Sequence, residues 1–385
     1  MPGASVSRAH RREGPHPWRS LVAVVLMTLL SACSTPPAKR WPQRSPEDIR
    51  TQLTMLIPAT VNDREGWAHD IQQSFAQLDL LPSTDNLCAV LAVIEQETGY
   101  VANPSVPNLA AIARKEIERR AKRLKIPAFA LAAALRLKST DGRSFDQRID
   151  ALRTEKDMSD LFDELIDRVP LGQRLFASIN PVNTGGSMQV SIDFAEQHAR
   201  QHRYPWGREL RIRDEVFTRR GGVYFGIAHL LQYPASYQRH IYRYADFNAG
   251  WYASRNAAFQ QALSLLSGIE LTPDGDLLPV KRGLLHRRQG ETEKAVVGLA
   301  ARLGLSERRI ERDLAKQDEA SFEQTDTWRA VFAAADAKAG KPLPYALLPR
   351  ITLHSPKITR HLTTAWFANR VQGRYQQCIN RAYQP

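Results

Sequence analysis

The most constraining feature of the sequence is an apolar segment at residues 86–98 (NLCAVLAVIEQET), where hydrophobic side chains occur on nearly every side of a helix. Ser83 and Asp85 precede it as candidate amino-terminal caps, and Gly99 follows it as a stop signal. A helix that is apolar all round has to be buried among other elements. From about residue 47 to residue 267, most remaining patterns have helical periodicity and few alternate as strands do. The sequence therefore predicts a mainly α fold.

Two carboxylates lie near the end of this predicted central helix. Glu95 and Glu97 are two positions apart, which separates them by about 200° around the helix axis. Glu97 continues the apolar line of Val90 and Val93, so partial burial and the negative end of the helix dipole both favour its protonated form. Such a carboxyl group suits general acid catalysis. The alternative is an ordinary helix-end carboxylate paired with a Lys or Arg side chain.

The first 32 residues have the pattern of a secretion signal. Four Arg residues precede an apolar run at residues 21–30, which has about half the ~20 residues needed to cross a bilayer. Small residues end the run directly before Cys33, a pattern that resembles the lipobox of bacterial lipoproteins. We therefore expect Cys33 to carry the lipid. By resemblance to lipoprotein sorting rules, Ser34 favours a lipid-anchored position on the periplasmic face of the outer membrane; the alternative is an ordinary secretory signal with an incidental cysteine.

The chain is basic, with a formal charge of +13 that falls to +10 once the signal's four Arg and one Glu are removed. Basic proteins attract polyanions. In the expected location the nearest polyanion is peptidoglycan, so we expect it, and not nucleic acid, to be the partner; the sequence identifies no partner proteins. Residues 291–314 resemble a helix-turn-helix, but the same location favours a packed helical hairpin.

Two cysteines remain after the predicted lipid site, Cys88 and Cys378. In an oxidising compartment an even pair is more often bonded than free, so we expect a disulfide. It would join the C-terminal helix to the start of the central helix. The alternative is two separately buried thiols.

The chain divides, by composition, into four parts. Residues 1–32 form the predicted signal, and residues 33–46, rich in Pro, Ser and charge, form a lipidated tether. A Pro/Gly/Asp cluster at residues 272–275 separates a domain at residues 47–270 from a C-terminal helical region at residues 271–385.

Three motifs in the larger domain resemble a known family. The first is Glu97-Thr98-Gly99-Tyr100 followed by Asn103-Pro104, the second is the segment 185–190 (GGSMQV), and the third is the segment 247–250 (FNAG). In this order they are similar to the motifs of lysozyme-like lytic transglycosylases. The resemblance implies a lysozyme-like helical domain in which Glu97 is the catalytic acid. It implies glycan contacts by Thr98, Tyr100, Met188, Gln189, Asn248 and Trp251.

The resemblance also implies a reaction. Glycosidases usually need a second carboxylate beside the acid. Lytic transglycosylases instead use the acetamido group of the N-acetylmuramic acid and its 6-hydroxyl, which attacks after the Glu has become a base. The product is a 1,6-anhydro sugar, and neither a cofactor nor a metal is required.

The sequence departs from this family in two ways. The first and second motifs are normally a short loop apart, whereas here residues 105–180 form an insertion of amphipathic helices with a basic first part, for which a solvated face is the favoured interpretation. Phe247 replaces a Tyr that orients the catalytic carboxylate, and Phe cannot donate a hydrogen bond. Tyr242 and Tyr244 are candidate replacements.

Two other functions therefore stay open. One is a non-catalytic peptidoglycan-binding or scaffold lipoprotein, and the other is a lysozyme-like hydrolase. The whole chain is also consistent with a lipoprotein family of unknown function, since the resemblance covers about half of it.

Two histidines form a candidate metal-binding pair. His198 and His202 are four positions apart on a predicted helix, as two zinc ligands can be. Because no third ligand follows them, we expect a solvated helix face and no metal.

Overall fold

A computed structural model describes residues 44–168, 180–207, 209–279, 289–353 and 362–384. Residues 46–385 form one compact unit. The predicted signal and Cys33 lie outside the described residues. The fold is mainly α, as the sequence predicted, and none of the described helices combines the length and apolar character needed to cross a membrane.

The described residues contain seventeen α helices and one 3₁₀ helix. In the first part of the chain they are α1 (Pro46–Leu56), α2 (Arg64–Gln77), α3 (Thr84–Glu97), α4 (Leu109–Arg123), α5 (Ala128–Arg136), α6 (Phe145–Asp150) and α7 (Glu155–Arg168). The middle part contains α8 (Ile192–Gln201), α9 (Ile212–Val216), α10 (Arg219–Leu231), α11 (His240–Ala249) and α12 (Ala253–Ser267). The last part contains α13 (Glu291–Gly298), α14 (Ala300–Leu303), α15 (Glu307–Leu314), a 3₁₀ helix (Ala320–Gln324), α16 (Asp326–Ala339) and α17 (Thr364–Tyr383).

The described strands form two short antiparallel hairpins. In the first, β1 (Thr184–Gly185) pairs with β2 (Val190–Ser191), with Gly185 opposite Val190. In the second, β3 (Thr352–Leu353) pairs with β4 (Leu362–Thr363) immediately before the last helix. The first hairpin carries the second sequence motif.

The predicted central helix is α3, and it is buried as expected. Every side chain from Leu87 to Ile94 is inaccessible to solvent, and helices α10 and α17 pack against it. Ser83 caps its first turn by accepting a hydrogen bond from the backbone N–H of Asn86 at 3.2 Å. The helix is buried on all sides, which explains why its sequence is apolar all round.

The compact unit contains two hydrophobic cores. The first is built from residues between Ile49 and Phe247 together with residues 367–378 of α17, and the second from residues between Ala258 and Ala335. The division expected at residue 270 therefore does not match the packing, because α12 belongs to the second core while α17 returns to the first. Among the described residues, both cores consist of side chains from Ile49 onward.

A disulfide fixes this return of the chain. Cys88 on α3 and Cys378 on α17 are bonded, with their Cα atoms 5.5 Å apart. Nearby, the hydroxyl of Tyr375 donates a hydrogen bond to Asp85 at 2.8 Å. The bond joins the C-terminal helix to the start of the central helix, which is the pairing expected from the sequence.

The insertion between the first two motifs consists of helices α4 to α7, and its predicted basic run is only partly solvated. Arg114 pairs with Asp146 and Asp150, each at 2.7 Å. Arg120 is buried against Glu116. Solvated cations remain mainly at the end of α4.

Candidate functional site

The first and second motifs are in direct contact. Thr98, which ends α3, donates a hydrogen bond from Oγ1 to the backbone oxygen of Ser187 at 2.9 Å. The two residues are 89 positions apart, and the whole insertion lies between them. The two motifs therefore meet at the base of the insertion.

Glu97 is the last residue of α3 and is half-buried. The carboxylate of Glu95 is directed to α17, where its Oε1 lies 3.6 Å from Nε of Arg374. Since the two positions are about 200° apart on the helix, Glu97 is directed to another side of α3 than the one that α17 covers. The two neighbouring carboxylates are thus in different environments.

Glycines allow the second motif to lie against helix α10. A Cβ at Gly222 would be 2.9 Å from the backbone nitrogen of Ser187, and one at Gly226 would be 2.4 Å from the sulfur of Met188. Gly186 has a φ of 74° and a Cβ there would be 1.9 Å from the backbone oxygen of Val216. Any larger residue at these positions would separate the hairpin from the helix.

Gln189 contacts a second carboxylate that the sequence reasoning missed. Its Nε2 donates a hydrogen bond to Oε2 of Glu155 at 3.0 Å, and its backbone is in the left-handed region, with a φ of 49°. Glu155 is the buried first residue of α7. Beside it, Asn103 of the first motif donates a hydrogen bond to Thr154 at 3.1 Å. The end of the insertion therefore connects the first two motifs.

Two residues expected to contact glycan are buried instead. Tyr100 packs edge-on against Trp67, with ring centroids 5.5 Å apart, and its hydroxyl donates a hydrogen bond to the backbone oxygen of Leu91 at 3.3 Å. Met188 is inaccessible to solvent. Both side chains support the motifs from beneath, because in a tightly packed interior they have no free face to offer a ligand.

The third motif packs against the far end of α10. Phe247 is buried, with its ring 5.0 Å from the ring of His229. Gly222 and His229 are seven residues apart on α10, which corresponds to about 10 Å along the helix axis. Helix α10 thus carries the second and third motifs at its two ends. Asn248 is exposed, and its Oδ1 accepts a hydrogen bond from Thr364 at 3.0 Å.

A buried carboxylate directly before Phe247 holds the third motif in place. Asp246 accepts hydrogen bonds from the hydroxyls of Tyr233, at 2.9 Å, and Tyr237, and from the backbone N–H of Ser254, at 2.7 Å. Burial raises the pKa of Asp246, and the hydrogen bonds from Tyr237 and Ser254 oppose this effect. The motif is therefore anchored by a buried polar cluster that cannot be predicted from the motif sequence.

Neither candidate for the missing tyrosine hydroxyl reaches Glu97. Tyr244 is buried, and its ring centroid lies 6.4 Å from that of Tyr375. The hydroxyl of Tyr375 is bonded to Asp85, at the opposite end of α3 from Glu97. Asp85 and Glu97 are twelve residues apart, or about 18 Å along the helix. Tyr242 instead packs against Tyr237. The substitution by Phe247 is not compensated by these two residues.

Trp251 lines a cavity of about 380 Å³. Its Nε1 donates a hydrogen bond to the backbone oxygen of His229 at 2.8 Å, and its ring stacks on Tyr233 with centroids 5.2 Å apart. The other lining residues come mainly from α8 and from the segment after α10: Phe194, Gln197, His198, Gln201, His202, Gln232, Pro234, Tyr252 and Asp318.

One of the two histidines considered as metal ligands is not on a solvated face. His198 is buried, and its Nε2 lies 2.8 Å from Oε1 of Gln232. Burial lowers the pKa of His198, against the opposing effect of this hydrogen bond. His202 is exposed. In the described ranges, no three His, Cys, Asp or Glu side chains are grouped as metal ligands would be.

The segment that resembles a helix-turn-helix packs into the second core. Ile310 and Leu314 of α15 are buried there, and Arg309 of the same helix pairs with Asp313 and Asp326. This is the arrangement of a packed helical hairpin.

Comparison with known proteins identifies the family but not an activity. The family model described as "Protein of unknown function (DUF1615)" matches residues 60–381. An uncharacterized protein of Escherichia coli (strain K12), YaiW, is 50% identical over 362 residues, which cover 94% of this chain and 97% of the relative. No solved structure matches the chain. The chain therefore belongs to the DUF1615 family of proteins of unknown function.

Proposed function

We propose that the protein is a peptidoglycan-cleaving lipoprotein of the lytic transglycosylase type, with Glu97 as the acid that protonates the leaving glycosidic oxygen and then acts as the base. The observation that carries this proposal is the contact between Thr98 and Ser187, because it brings the end of α3 against the Gln189 hairpin across 89 residues of sequence. A half-buried carboxylate at a helix end is suited to general acid catalysis.

The cavity beside Trp251 supports a glycan ligand. Its wall combines aromatic rings with the neutral amides of Gln197, Gln201 and Gln232. Sugar rings present apolar faces and hydroxyl groups, so a site for them needs aromatic surfaces and a few polar groups that fix orientation. We infer that Trp251 contacts the glycan, while Asn248, whose oxygen is bonded to Thr364, shapes the end of α11.

The activity test uses residues 34–385, which include both hydrophobic cores. This protein should release 1,6-anhydromuropeptides from isolated sacculi, and the Glu97→Gln variant should release none. Glu95→Gln is the matched control, because it removes a carboxylate from the same helix end that instead faces Arg374. Wild-type protein that releases no fragments would exclude the enzyme, and products with reducing ends would identify a hydrolase.

A non-catalytic peptidoglycan-binding lipoprotein is the second candidate. The observation that favours it is the burial of Phe247 against His229, since no hydroxyl is present there to orient Glu97. This alternative predicts that the protein sediments with sacculi but leaves them intact, with the same result for Glu97→Gln.

We also propose that Cys33 anchors the protein by lipid to the periplasmic face of the outer membrane. The support is the lipobox-like sequence that ends at this cysteine. Palmitate labelling of the full chain should be lost in the Cys33→Ser variant, and labelling that persists would contradict the anchor.

A further inference from the structure

Helix α5 presents an apolar face to solvent. The helix (AFALAAALR) contains no buried residue. Leu131 and Leu135 are turned towards the first core, where they are partly buried. The opposite face carries Phe129, Ala132 and Ala133, at the spacing of one helix side, and Phe129 is 78% exposed. This large aromatic side chain is therefore mostly exposed to solvent.

Two leucines extend this apolar surface at both ends of α5. Leu124 follows α4 and is 42% exposed, and Leu137 follows α5 and is 41% exposed. Singly exposed apolar side chains are ordinary, but a contiguous group indicates an interaction site. We call the surface formed by Leu124, Phe129, Ala132, Ala133 and Leu137 the α5 patch.

Lys and Arg residues flank α5 in the sequence, with no acidic residue among them. No Asp or Glu occurs from Arg119 to Thr140, whereas the segment contains seven Lys or Arg residues. Arg119 and Arg120 are paired with Glu116. The other five are exposed, and none is in an ion pair within the described residues: Lys122, Arg123, Lys125, Arg136 and Lys138. Exposed positive charge therefore lies just before and just after α5 along the chain.

The α5 patch is held on a fixed support. After α5 the chain turns back in a short hairpin, in which the N–H of Ser139 donates a hydrogen bond to the backbone oxygen of Arg143 at 2.8 Å. The carboxylate of Glu164 on α7 accepts hydrogen bonds from Ser139, at 3.0 Å, from the N–H of Thr140, at 2.6 Å, and from Arg148. The apolar face is thus a defined surface of the fold.

We propose that the α5 patch docks on an anionic lipid surface. An apolar helix face rimmed by Lys and Arg is the arrangement of helices that lie in the bilayer interface, where the apolar side chains enter the acyl boundary and the cations contact anionic headgroups. The long Lys and Arg side chains can place their charge at headgroup level while their carbon chains cover apolar surface. This contact holds the compact unit itself against a membrane and is separate from the lipid at Cys33.

The test is sedimentation of residues 34–385, which lack the lipidated cysteine, with vesicles of phosphatidylcholine alone or mixed with phosphatidylglycerol. The protein should sediment with the anionic vesicles, less with the neutral ones, and less at high salt. Phe129→Ser should weaken binding to the anionic vesicles. Removing one cation, as in Lys122→Ala or Arg123→Ala, should weaken it roughly fivefold.

Met55→Ser is the matched control, because Met55 is an apolar side chain 67% exposed on α1 and lies outside the α5 patch. Binding that is the same for the Phe129→Ser and Met55→Ser variants would overturn the proposal, as would equal binding to both kinds of vesicle. Circular dichroism of each variant shows that loss of binding is not loss of folding.

A second measurement locates the contact directly. With Cys88 and Cys378 bonded, the Ala132→Cys variant of residues 34–385 has one free thiol for an environment-sensitive dye. The dye at position 132 should shift to shorter wavelength with anionic vesicles, whereas a dye at position 55, in Met55→Cys, should not. An unchanged spectrum at position 132 would show that this surface does not enter the lipid, and a partner protein would then be its occupant.

Discussion

At the scale of single residues, His229 connects the parts of the candidate site. Its ring lies 5.0 Å from Phe247, 4.6 Å from Phe194 and 5.7 Å from Trp251. Burial lowers the pKa of His229 to about 4, against the opposing effect of a hydrogen bond to the backbone of Phe247. Among these aromatic rings the neutral imidazole is the stable form, so the third motif is assembled around an uncharged histidine.

The protonation of His229 should make stability depend on pH. Because its pKa is lower in the folded chain than the value of about 6.5 in the unfolded chain, its contribution is present above pH 6.5 and is lost as the pH falls towards 4. The loss between pH 7.5 and pH 4.5 is roughly 2 to 3 kcal/mol. Urea unfolding of wild type and His229→Phe measures it as the difference between the two proteins at each pH. Parallel pH profiles would show that His229 does not carry the effect.

At the scale of elements, α10 positions the site through its glycines. Gly222 and Gly226 lie on one face, against Ser187 and Met188, and His229 follows on the same side of the helix. Glycine costs a helix stability, so its use at these positions is explained by the close approach of the hairpin.

Gly226→Ala should therefore destabilise the protein by about 1 to 2 kcal/mol, since overpacking against Met188 exceeds the gain in helix propensity. Gly373→Ala on α17 is the matched control. Gly373 is exposed and a Cβ there meets nothing within 4 Å, so this variant should gain about 0.5 to 1 kcal/mol. Thermal unfolding of both variants shows whether overpacking or helix propensity determines the stability change at position 226. A Gly226→Ala variant more stable than wild type would contradict the close contact with Met188.

The sequence predicted the elements better than it predicted their contacts. Helix α3 runs from Thr84 to Glu97, close to the expected residues 86–98, because an all-apolar segment with a Ser cap is a local signal. The insertion is helical as its periodicity indicated. Tyr100 was misjudged because an aromatic residue beside a motif has the same sequence appearance whether it faces a ligand or the core. The physical reason is that burial depends on residues distant in the chain.

Several site residues had no local signal at all. Glu155 lies 34 positions before Gln189, and no spacing rule connects them. In the sequence, Asp246 looks like an ordinary polar residue of an amphipathic helix. In the structure it is inaccessible to solvent and accepts hydrogen bonds from two tyrosine hydroxyls. The glycines of α10 would have been the best available signal, since three glycines in one helix imply that another chain segment approaches closely.

At the scale of the whole molecule, the last helix returns to pack into the first core. Helix α17 contacts α3 through the disulfide, and Arg381 near its end donates a hydrogen bond to the backbone oxygen of Leu56 at 3.1 Å. The second core is joined to this arrangement at the start of α12, where the backbone N–H of Ser254 donates a hydrogen bond to the buried Asp246 of α11 at 2.7 Å. Such a connection favours cooperative unfolding of both cores.

Removal of the disulfide should therefore destabilise the whole unit. The bond joins residues 290 positions apart, and the chain-entropy model gives about 5.7 kcal/mol for a loop of that length, before any strain in the native bond. Cys88→Ala/Cys378→Ala should lower the urea midpoint, and reduced wild type should agree with it, because both lack the cross-link. Trp67 lies in the first core and Trp328 in the second. The fluorescence difference between wild type and Trp67→Phe therefore reports unfolding of the first core, and the difference between wild type and Trp328→Phe reports unfolding of the second. A common lowered midpoint is expected, since α17 and the contact between Ser254 and Asp246 make the cores interdependent. A lowered midpoint for the first core alone would show that the second core folds independently.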